Sequence, residues 1–312
     1  MAERERPASL REVLARLGQK PATIVEALNS ATAELSALGV DSPRLSAELL
    51  GARAFGLSRL GLIMRAKDQQ TGEALAAFRT LVSRRAKGEP VAYILGEREF
   101  FGLGFRVTPD VLIPRPDTEI IVEEAQRLFP ADARLRFADF GTGSGALAVA
   151  LAHVFPQARG LAVDLCGRAL EVARHNAREH GVEQRLDFLC ADFTGLDLAP
   201  GSLDADSLNL IVANPPYVTE TEYAALSIEV RGFEPHSALV SADEGLAHIR
   251  GLAPVAARAL KPGGVLLCEC GSGQGRAMLE LFSDPAQGFA EPVIVRDYAG
   301  LDRVLRAVRP AA

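Results

Sequence analysis

Asp139-Phe140-Gly141-Thr142-Gly143-Ser144-Gly145 lies between a strand-like run, Leu135–Phe140, and a helical one, Leu147–Val154. Glycines at this spacing let the chain turn sharply out of a strand and bring backbone N–H groups close to a ligand at the start of a helix. The pattern Gly141-x-Gly143-x-x-Ala146 satisfies a loose dinucleotide fingerprint. By itself it leaves the ligand open.

Outward from this loop, strand-like and helical segments alternate. Strands are expected at Leu135–Phe140, Gly160–Asp164, Leu186–Cys190, Leu208–Ala213, Gly264–Cys270, Pro292–Val295 and Val304–Val308. Helices are expected at Leu147–Val154, Gly167–His180, Leu246–Leu260 and Arg276–Phe282. This alternation specifies an α/β fold, a mostly parallel, doubly wound seven-stranded sheet covered on both faces. The last two strands are too close in sequence for a helical crossover, which predicts an antiparallel pair at one edge.

Ligands of such sheets bind at the carboxyl ends of the strands. Four of those ends carry chemistry. The first is the glycine loop. The second is Asp164, whose carboxylate suits the two hydroxyls of a ribose. The third is Ala191-Asp192-Phe193, an acid and a ring for the amino group and face of an adenine. The fourth strand runs into Asn214-Pro215-Pro216-Tyr217. Prolines end strand pairing and stiffen the backbone before them. What they leave is a rim of carbonyl oxygens, one Asn amide and one ring, a grip for a planar NH₂ group. The ribose acid supports an adenosine-containing cofactor. The succession of strand ends favours S-adenosylmethionine over NAD, for which no proton-transfer residue accompanies the loop.

The first third reads as a helical bundle, taken as a substrate-recognition domain over residues 1–90. Leu10, Val13, Leu14 and Leu17 recur at helical spacing, as do Ile24, Leu28, Ala31 and Leu35, followed by Gly39 as a C-cap. Asp41-Ser42-Pro43 offers a cap and a first-turn proline for a helix bearing Leu45, Leu49 and Leu50. Another helix is expected from Thr71 to Lys87. Residues 91–110 read as a β-hairpin linker, with strand-like segments from Tyr93 to Val107 flanking Gly102-Leu103-Gly104. A larger domain, the one that carries the glycine loop, then spans 111–312. It opens on Leu112-Ile113-Pro114-Arg115-Pro116-Asp117-Thr118-Glu119, with Thr118 as a cap for a helix over Glu119–Leu128.

Composition bounds the rest. The chain has 312 residues, 48% of them hydrophobic, enough for two domains with sizeable cores. No stretch approaches the roughly 20 apolar residues that span a bilayer. The start, Met1-Ala2-Glu3-Arg4-Glu5-Arg6, lacks the apolar core of a secretory signal. Cys166, Cys190, Cys268 and Cys270 show no disulfide framework, which fits a reducing cytoplasm. Cys268-Glu269-Cys270 places two thiols on one side of a strand, and with no CxxC or histidine pair no metal site is expected. The five histidines are scattered and none is assigned a role. Residues 1–90 hold 14 Lys/Arg against 10 Asp/Glu, whereas residues 91–312 hold 20 against 30. A catalytic half this acidic argues against sustained contact with a phosphate backbone.

Several longer segments are diagnostic together. They are Ser42-Pro43-Arg44-Leu45-x-Ala47-Glu48-Leu49-Leu50, Gly88-Glu89-Pro90-Val91-Ala92-Tyr93-Ile94-Leu95-Gly96 and Val111-Leu112-Ile113-Pro114-Arg115-Pro116-Asp117-Thr118-Glu119. With Gly141–Gly145, Asn214–Tyr217 and Leu260-Lys261-Pro262-Gly263-Gly264, the chain resembles the release-factor glutamine methyltransferases of the HemK/PrmC type over nearly its whole length.

The resemblance implies a class I S-adenosylmethionine-dependent methyltransferase fold. It also implies methyl transfer to the side-chain nitrogen of the Gln in a Gly-Gly-Gln tripeptide of class I peptide chain release factors. By similarity, Gly141, Thr142, Gly143, Ser144, Gly145, Asp164, Phe193 and Asn214 contact the cofactor, while Asn214, Pro215, Pro216 and Tyr217 hold the glutamine. Phe193 stands where the family commonly has Trp, and Leu165-Cys166 replaces Ile/Val-Ser. An amide nitrogen is a poor nucleophile, so such a site must position it in line with the methyl donor, which is worth several kcal/mol. The Asn214 side-chain oxygen and the Pro215 carbonyl are the expected acceptors, with Tyr217 packed near the amide plane. Glu119 or Asp139 is expected to neutralise the donor's ammonium. The alternatives are an adenine-N6 methyltransferase of DNA or RNA, which needs a basic base-flipping surface, and a non-catalytic adenosine-binding module. The expected partner is the release factor, bound by a cytoplasmic monomer without direct nucleic-acid or membrane contact.

Overall fold

The computed structural model describes residues 22–196 and 207–311. The helix expected around Leu10–Leu17 lies outside them. The chain divides into two compact units between Leu95 and Gly96.

The first unit contains helices α1 (Ile24–Ala37), α2 (Pro43–Phe55), α3 (Arg59–Met64), α4 (Gly72–Ala86) and α5 (Val91–Leu95). Thr23 opens α1 in a reciprocal capping box with Glu26, and the Thr71 hydroxyl accepts from Ala74 N to open α4. Ile24, Leu28, Ala31 and Leu35 form the buried stripe of α1 and pack with Leu50, Phe78 and Val82. Gly51 permits that approach, since a Cβ there would stand 2.7 Å from Leu28 Cδ2. Two expectations are corrected. Ser42 makes no side-chain cap and sits at φ 47°, so Pro43 alone sets the start of α2. Tyr93, expected in a strand, is buried in α5.

The second unit begins with strands β1 (Glu97–Phe100) and β2 (Leu103–Arg106), paired antiparallel with Phe100 opposite Leu103. The turn is therefore Phe101-Gly102, at φ 51° and 74°, and not Gly102-Leu103-Gly104. Positive φ at both central residues matches the twist of the flanking strands. Phe100 and Phe105 enter the same core as Ile120 and Ile121, so the hairpin is a wall of this unit and not a free linker.

Helix α6 (Glu119–Leu128) leads into β3 (Arg136–Phe140), α7 (Ala146–Val154), β4 (Arg159–Asp164), α8 (Gly167–Glu179) and β5 (Leu186–Cys190). Then come β6 (Leu208–Ala213), α9 (Glu220–Ala225), α10 (Ile228–Arg231), α11 (Ala247–Ala259), β7 (Leu260–Glu269), α12 (Gly275–Phe282), β8 (Ala290–Arg296) and β9 (Asp302–Val308). The seven-stranded sheet runs β5-β4-β3-β6-β7-β9-β8. It is parallel except for β9, which is antiparallel to both neighbours, as the short connection requires.

Alternate residues of the central strands feed two cores. Phe137, Leu210, Val212 and Leu267 pack with α6 and α7 on one face. Ala138, Phe140, Ile211, Ala213, Leu266 and Cys268 pack with α11 and α12 on the other. Chain order reverses beside β3, between β4 and β6, which opens a crevice at the carboxyl ends of these strands.

Candidate active site

The crevice is a cavity of about 350 Å³, within the range of small-molecule sites. Its floor is the glycine loop. Gly141 and Gly143 take φ of 76° and 54°, conformations that L side chains rarely adopt, and let the chain turn out of β3. Gly141 N and Thr142 N both donate to Val163 O, which ties the loop to the end of β4. Gly145 (φ 80°) does not line the cavity; it opens α7, and a Cβ there would meet Ala173 Cβ at 3.0 Å. Its role in the structure is to let α7 and α8 pack closely.

Two carboxylates flank the loop. Asp164 Oδ2 accepts from Gly143 N and Oδ1 from Cys166 N, each at 2.8 Å. Burial still pushes its carboxyl above the usual carboxylate range against these two bonds. Asp139 is 1% exposed. Its Oδ2 accepts from Thr142 Oγ1 at 2.6 Å and from Ala148 N at 3.1 Å. Among the described residues its Oδ1 is buried with no partner. Burial lifts this carboxyl to about 7, the Thr142 and Ala148 bonds opposing it. An unpartnered buried carboxylate oxygen in a cavity wall costs free energy until a donor reaches it. Glu119, the other expected partner for an ammonium, is a correction: its Oε1 accepts from Phe101 N at 3.0 Å and holds the hairpin turn.

The opposite wall carries Phe193, stacked on Phe140 with centroids 5.8 Å apart and planes at 6°. Asp192 lines the cavity beside it, with Oδ1 already taken by the Thr194 amide and hydroxyl. His248, to which no role was assigned from sequence, also lines this wall; its ring lies 6.3 Å from that of Phe193 and its Nδ1 meets Ser241 Oγ at 2.8 Å.

Asn214 and Pro216 line the cavity, whereas Pro215 and Tyr217 do not. Asn214 Nδ2 donates to Thr118 Oγ1 at 3.0 Å. Thr118 in turn donates to Glu269 Oε2 at 2.6 Å. The hydroxyl expected to cap α6 makes no cap at all. Tyr217 donates its hydroxyl to Glu269 Oε1 at 3.1 Å, and burial together with Glu269 raises its phenol further above the ordinary value. A third wall comes from Pro114 and Arg115 facing Pro235 and Ser237. Glu234 pins it: its carboxylate accepts from Ile113 N at 3.0 Å and from Arg115 Nη2 at 2.6 Å.

Sequence reading missed Glu234, His248 and Glu269. Only Glu269 carried a signal. It lies between two thiols that both enter the core, so strand alternation puts it on the other side, at a carboxyl end. Among the described residues no group of His, Cys, Asp and Glu is arranged to hold a metal ion, and no helix is long and apolar enough to cross a membrane.

Comparison with known proteins shows the family. Residues 26–96 match the PrmC N-terminal domain family and residues 137–227 a methyltransferase domain family. The release factor glutamine methyltransferase of Nitratidesulfovibrio vulgaris is 48% identical over 292 residues, 92% of this chain and 96% of that protein. Those of Moorella thermoacetica and Geobacter sulfurreducens are 42% and 43% identical, covering 92% and 91% of this chain and 99% and 95% of theirs. The seven-stranded unit is a class I S-adenosylmethionine-dependent methyltransferase fold. The chain belongs to the release factor glutamine methyltransferase family.

Proposed function

We propose that this chain methylates the side-chain amide nitrogen of the glutamine in the Gly-Gly-Gln motif of a class I peptide chain release factor, using S-adenosylmethionine. The observation that carries this reading is the Asn214 amide at the end of β6. Its NH₂ is tied back to Thr118, which leaves Oδ1 as an acceptor on the cavity side for a planar NH₂ donor.

The residues present fit the cofactor. The orphaned Asp139 Oδ1 suits its ammonium, Asp164 has lone pairs left for the ribose hydroxyls, and Phe193 offers a ring face to the adenine. When bound, S-adenosylmethionine supplies an electrophilic methyl group on a sulfonium sulfur. The chain's own part is to hold the substrate nitrogen. Asn214 Oδ1 accepts one amide N–H, with a backbone carbonyl of the same tetrapeptide as the second acceptor and Pro216 closing the wall. Each ordinary hydrogen bond contributes only about 1 kcal/mol net. A buried acceptor left empty, however, discriminates strongly against side chains that lack an NH₂. Tyr217 is no base at neutral pH, so the site orients the nitrogen and does not deprotonate it beforehand.

We assign the helical first unit to recognition of the release factor, and take the working form to be a cytoplasmic monomer without direct nucleic-acid contact. An adenine substrate is set aside by family membership and by the acidic second unit. The direct test is mass spectrometry of the Gly-Gly-Gln peptide after a release factor is incubated with enzyme and donor. One added methyl on the Gln is expected; an unmodified Gln with a methylated nucleic acid instead would overturn the reading.

The Asp139 assignment has a pH signature. Below about 7 its carboxyl holds a proton, which must be expelled before it can pair with an ammonium. Affinity for S-adenosylmethionine should therefore tighten from about pH 5.5 to 7, by up to about tenfold per unit, with a proton released on binding. Calorimetry across that range, in buffers of different ionisation enthalpy, checks it; Asp139→Asn should flatten the profile and weaken binding above pH 7. Without cofactor the sign on folding is the reverse. A raised carboxyl favours the fold below its unfolded value of 3.8, and that contribution is lost as pH rises through about 7.

A further inference from the structure

Glu269 ends β7 and is 1% exposed, yet among the described residues it makes no ion pair. Its partners are two hydroxyls, Thr118 Oγ1 at 2.6 Å and the Tyr217 phenol at 3.1 Å. A carboxylate can only accept, so both hydroxyl hydrogens must point at it. The Thr118 oxygen then has only lone pairs left to offer. It takes them to Asn214 Nδ2, 3.0 Å away. The direction of every bond in this chain follows from the one buried anion. An Asn amide has an acceptor and a donor end of nearly the same shape, and packing alone separates them poorly. Here hydrogen-bond direction separates them.

We propose that Thr118 and Glu269 are positioning residues that fix which end of the Asn214 amide meets the substrate, and so make the site selective for glutamine over glutamate. This rests on the clamp reading above. With the NH₂ held by Thr118, Oδ1 faces the substrate and accepts from a carboxamide NH₂. A glutamate carboxylate, which only accepts, would meet an acceptor there and be rejected. Were the amide free to turn over, its NH₂ would face the substrate and hold a carboxylate equally well. The same anion orients the Tyr217 hydroxyl, so two of the four tetrapeptide side chains take their geometry from Glu269. Thr118 and Glu269 lie 151 residues apart, and Thr118 can bridge Glu269 and Asn214 because β6 and β7, which end beside these two residues, are neighbours in the sheet.

The test uses the full-length enzyme with two loop peptides, one carrying Gly-Gly-Gln and one Gly-Gly-Glu. Thr118→Val keeps the shape and removes the hydroxyl; Thr118→Ser keeps the hydroxyl. Thr118→Val should lower kcat by about tenfold or more and shrink the Gln-over-Glu binding ratio by a similar factor, the scale set by a reacting group held out of position. S-adenosylmethionine affinity should stay near wild type, and the protein should remain folded with a lowered melting temperature, because valine leaves the buried Glu269 Oε2 without its donor. Thr118→Ser should retain most of the rate and the ratio. Glu269→Gln, whose amide can donate to Thr118, should shrink the ratio as well; if it fails to fold, the Thr118 pair still decides. In an Asn214→Ala background Thr118→Val should cost nothing further, because the group it positions is gone. An unchanged peptide ratio in Thr118→Val, or the same loss with Asn214 present and absent, overturns the positioning role. Normal transfer by Asn214→Ala alone would instead remove the clamp, a different result.

Discussion

Asn214→Ala should lower methyl transfer to the release-factor glutamine by about a hundred-fold or more, while the protein stays folded and still binds S-adenosylmethionine. The size follows from what the residue does. The substrate nitrogen has its lone pair delocalised into a carbonyl, and none of the tetrapeptide side chains removes a proton from it first. Rate enhancement therefore rests on holding the nitrogen in place, and a displacement of about 1 Å can cost a factor of roughly 100. Alanine removes the Oδ1 acceptor and also leaves Thr118 without the donor that now fills its lone pair. Folding should suffer little, because Asn214 is only part-buried at a strand end and the two residues that follow it are rigid prolines. Transfer of labelled methyl to a release factor, with cofactor affinity measured in parallel, checks it. Near-normal transfer would sink the clamp.

Phe137→Ala should destabilise the second unit by about 3–5 kcal/mol and leave the turnover of the folded fraction nearly unchanged. Phe137 is 1% exposed and lies directly opposite Gly160 in the parallel pair β3–β4. Its ring occupies the space that a Gly160 side chain would need, since a Cβ there would stand 2.3 Å from Phe137 Cζ. The two residues act as one packing unit, an aromatic ring laid over a glycine backbone. Removing the ring leaves a cavity among Leu210, Leu151 and their neighbours in the same core. Gly160→Ala should likewise destabilise the wild type, through overpacking. In the Phe137→Ala background the same change should cost much less or recover stability, because the clash is gone. Denaturant unfolding of the four proteins makes a double-mutant cycle, and strictly additive losses would contradict the pairing. Phe137 sits near the start of β3, away from the cavity at its other end, which is why catalysis by the folded fraction should be spared.

Much of the second unit was legible because its signals are local. Runs such as Leu208–Ala213 alternate between two cores, so apolar residues crowd both faces and mark buried parallel strands. The glycines of the loop were legible because only glycine takes positive φ at no steric cost. The hairpin turn was not. Phe101 at φ 51° is an uncommon choice, and it is held by Glu119 from the start of α6, 18 residues away. Tyr93 reads as a strand residue by propensity, yet tertiary burial in α5 overrides it. Thr118 shows the limit most clearly. Threonine ahead of a helix signals a cap, and its hydroxyl instead reaches Glu269 on β7.

The sequence by itself determined the order of strands and helices, the glycine loop, and which residue types stand at the strand ends: Asp139, Asp164, Phe193 and Asn214. These follow from periodicity and from backbone restrictions that act over a few residues. Tertiary structure alone decided that the Asn214 NH₂ is tied to Thr118, that Asp139 keeps one oxygen unpartnered while Glu119 holds the hairpin turn, and that Glu234 pins the Pro114–Arg115 wall. Hydrogen-bond direction depends on which donors and acceptors the sheet brings together from distant parts of the chain, and no local pattern encodes that meeting.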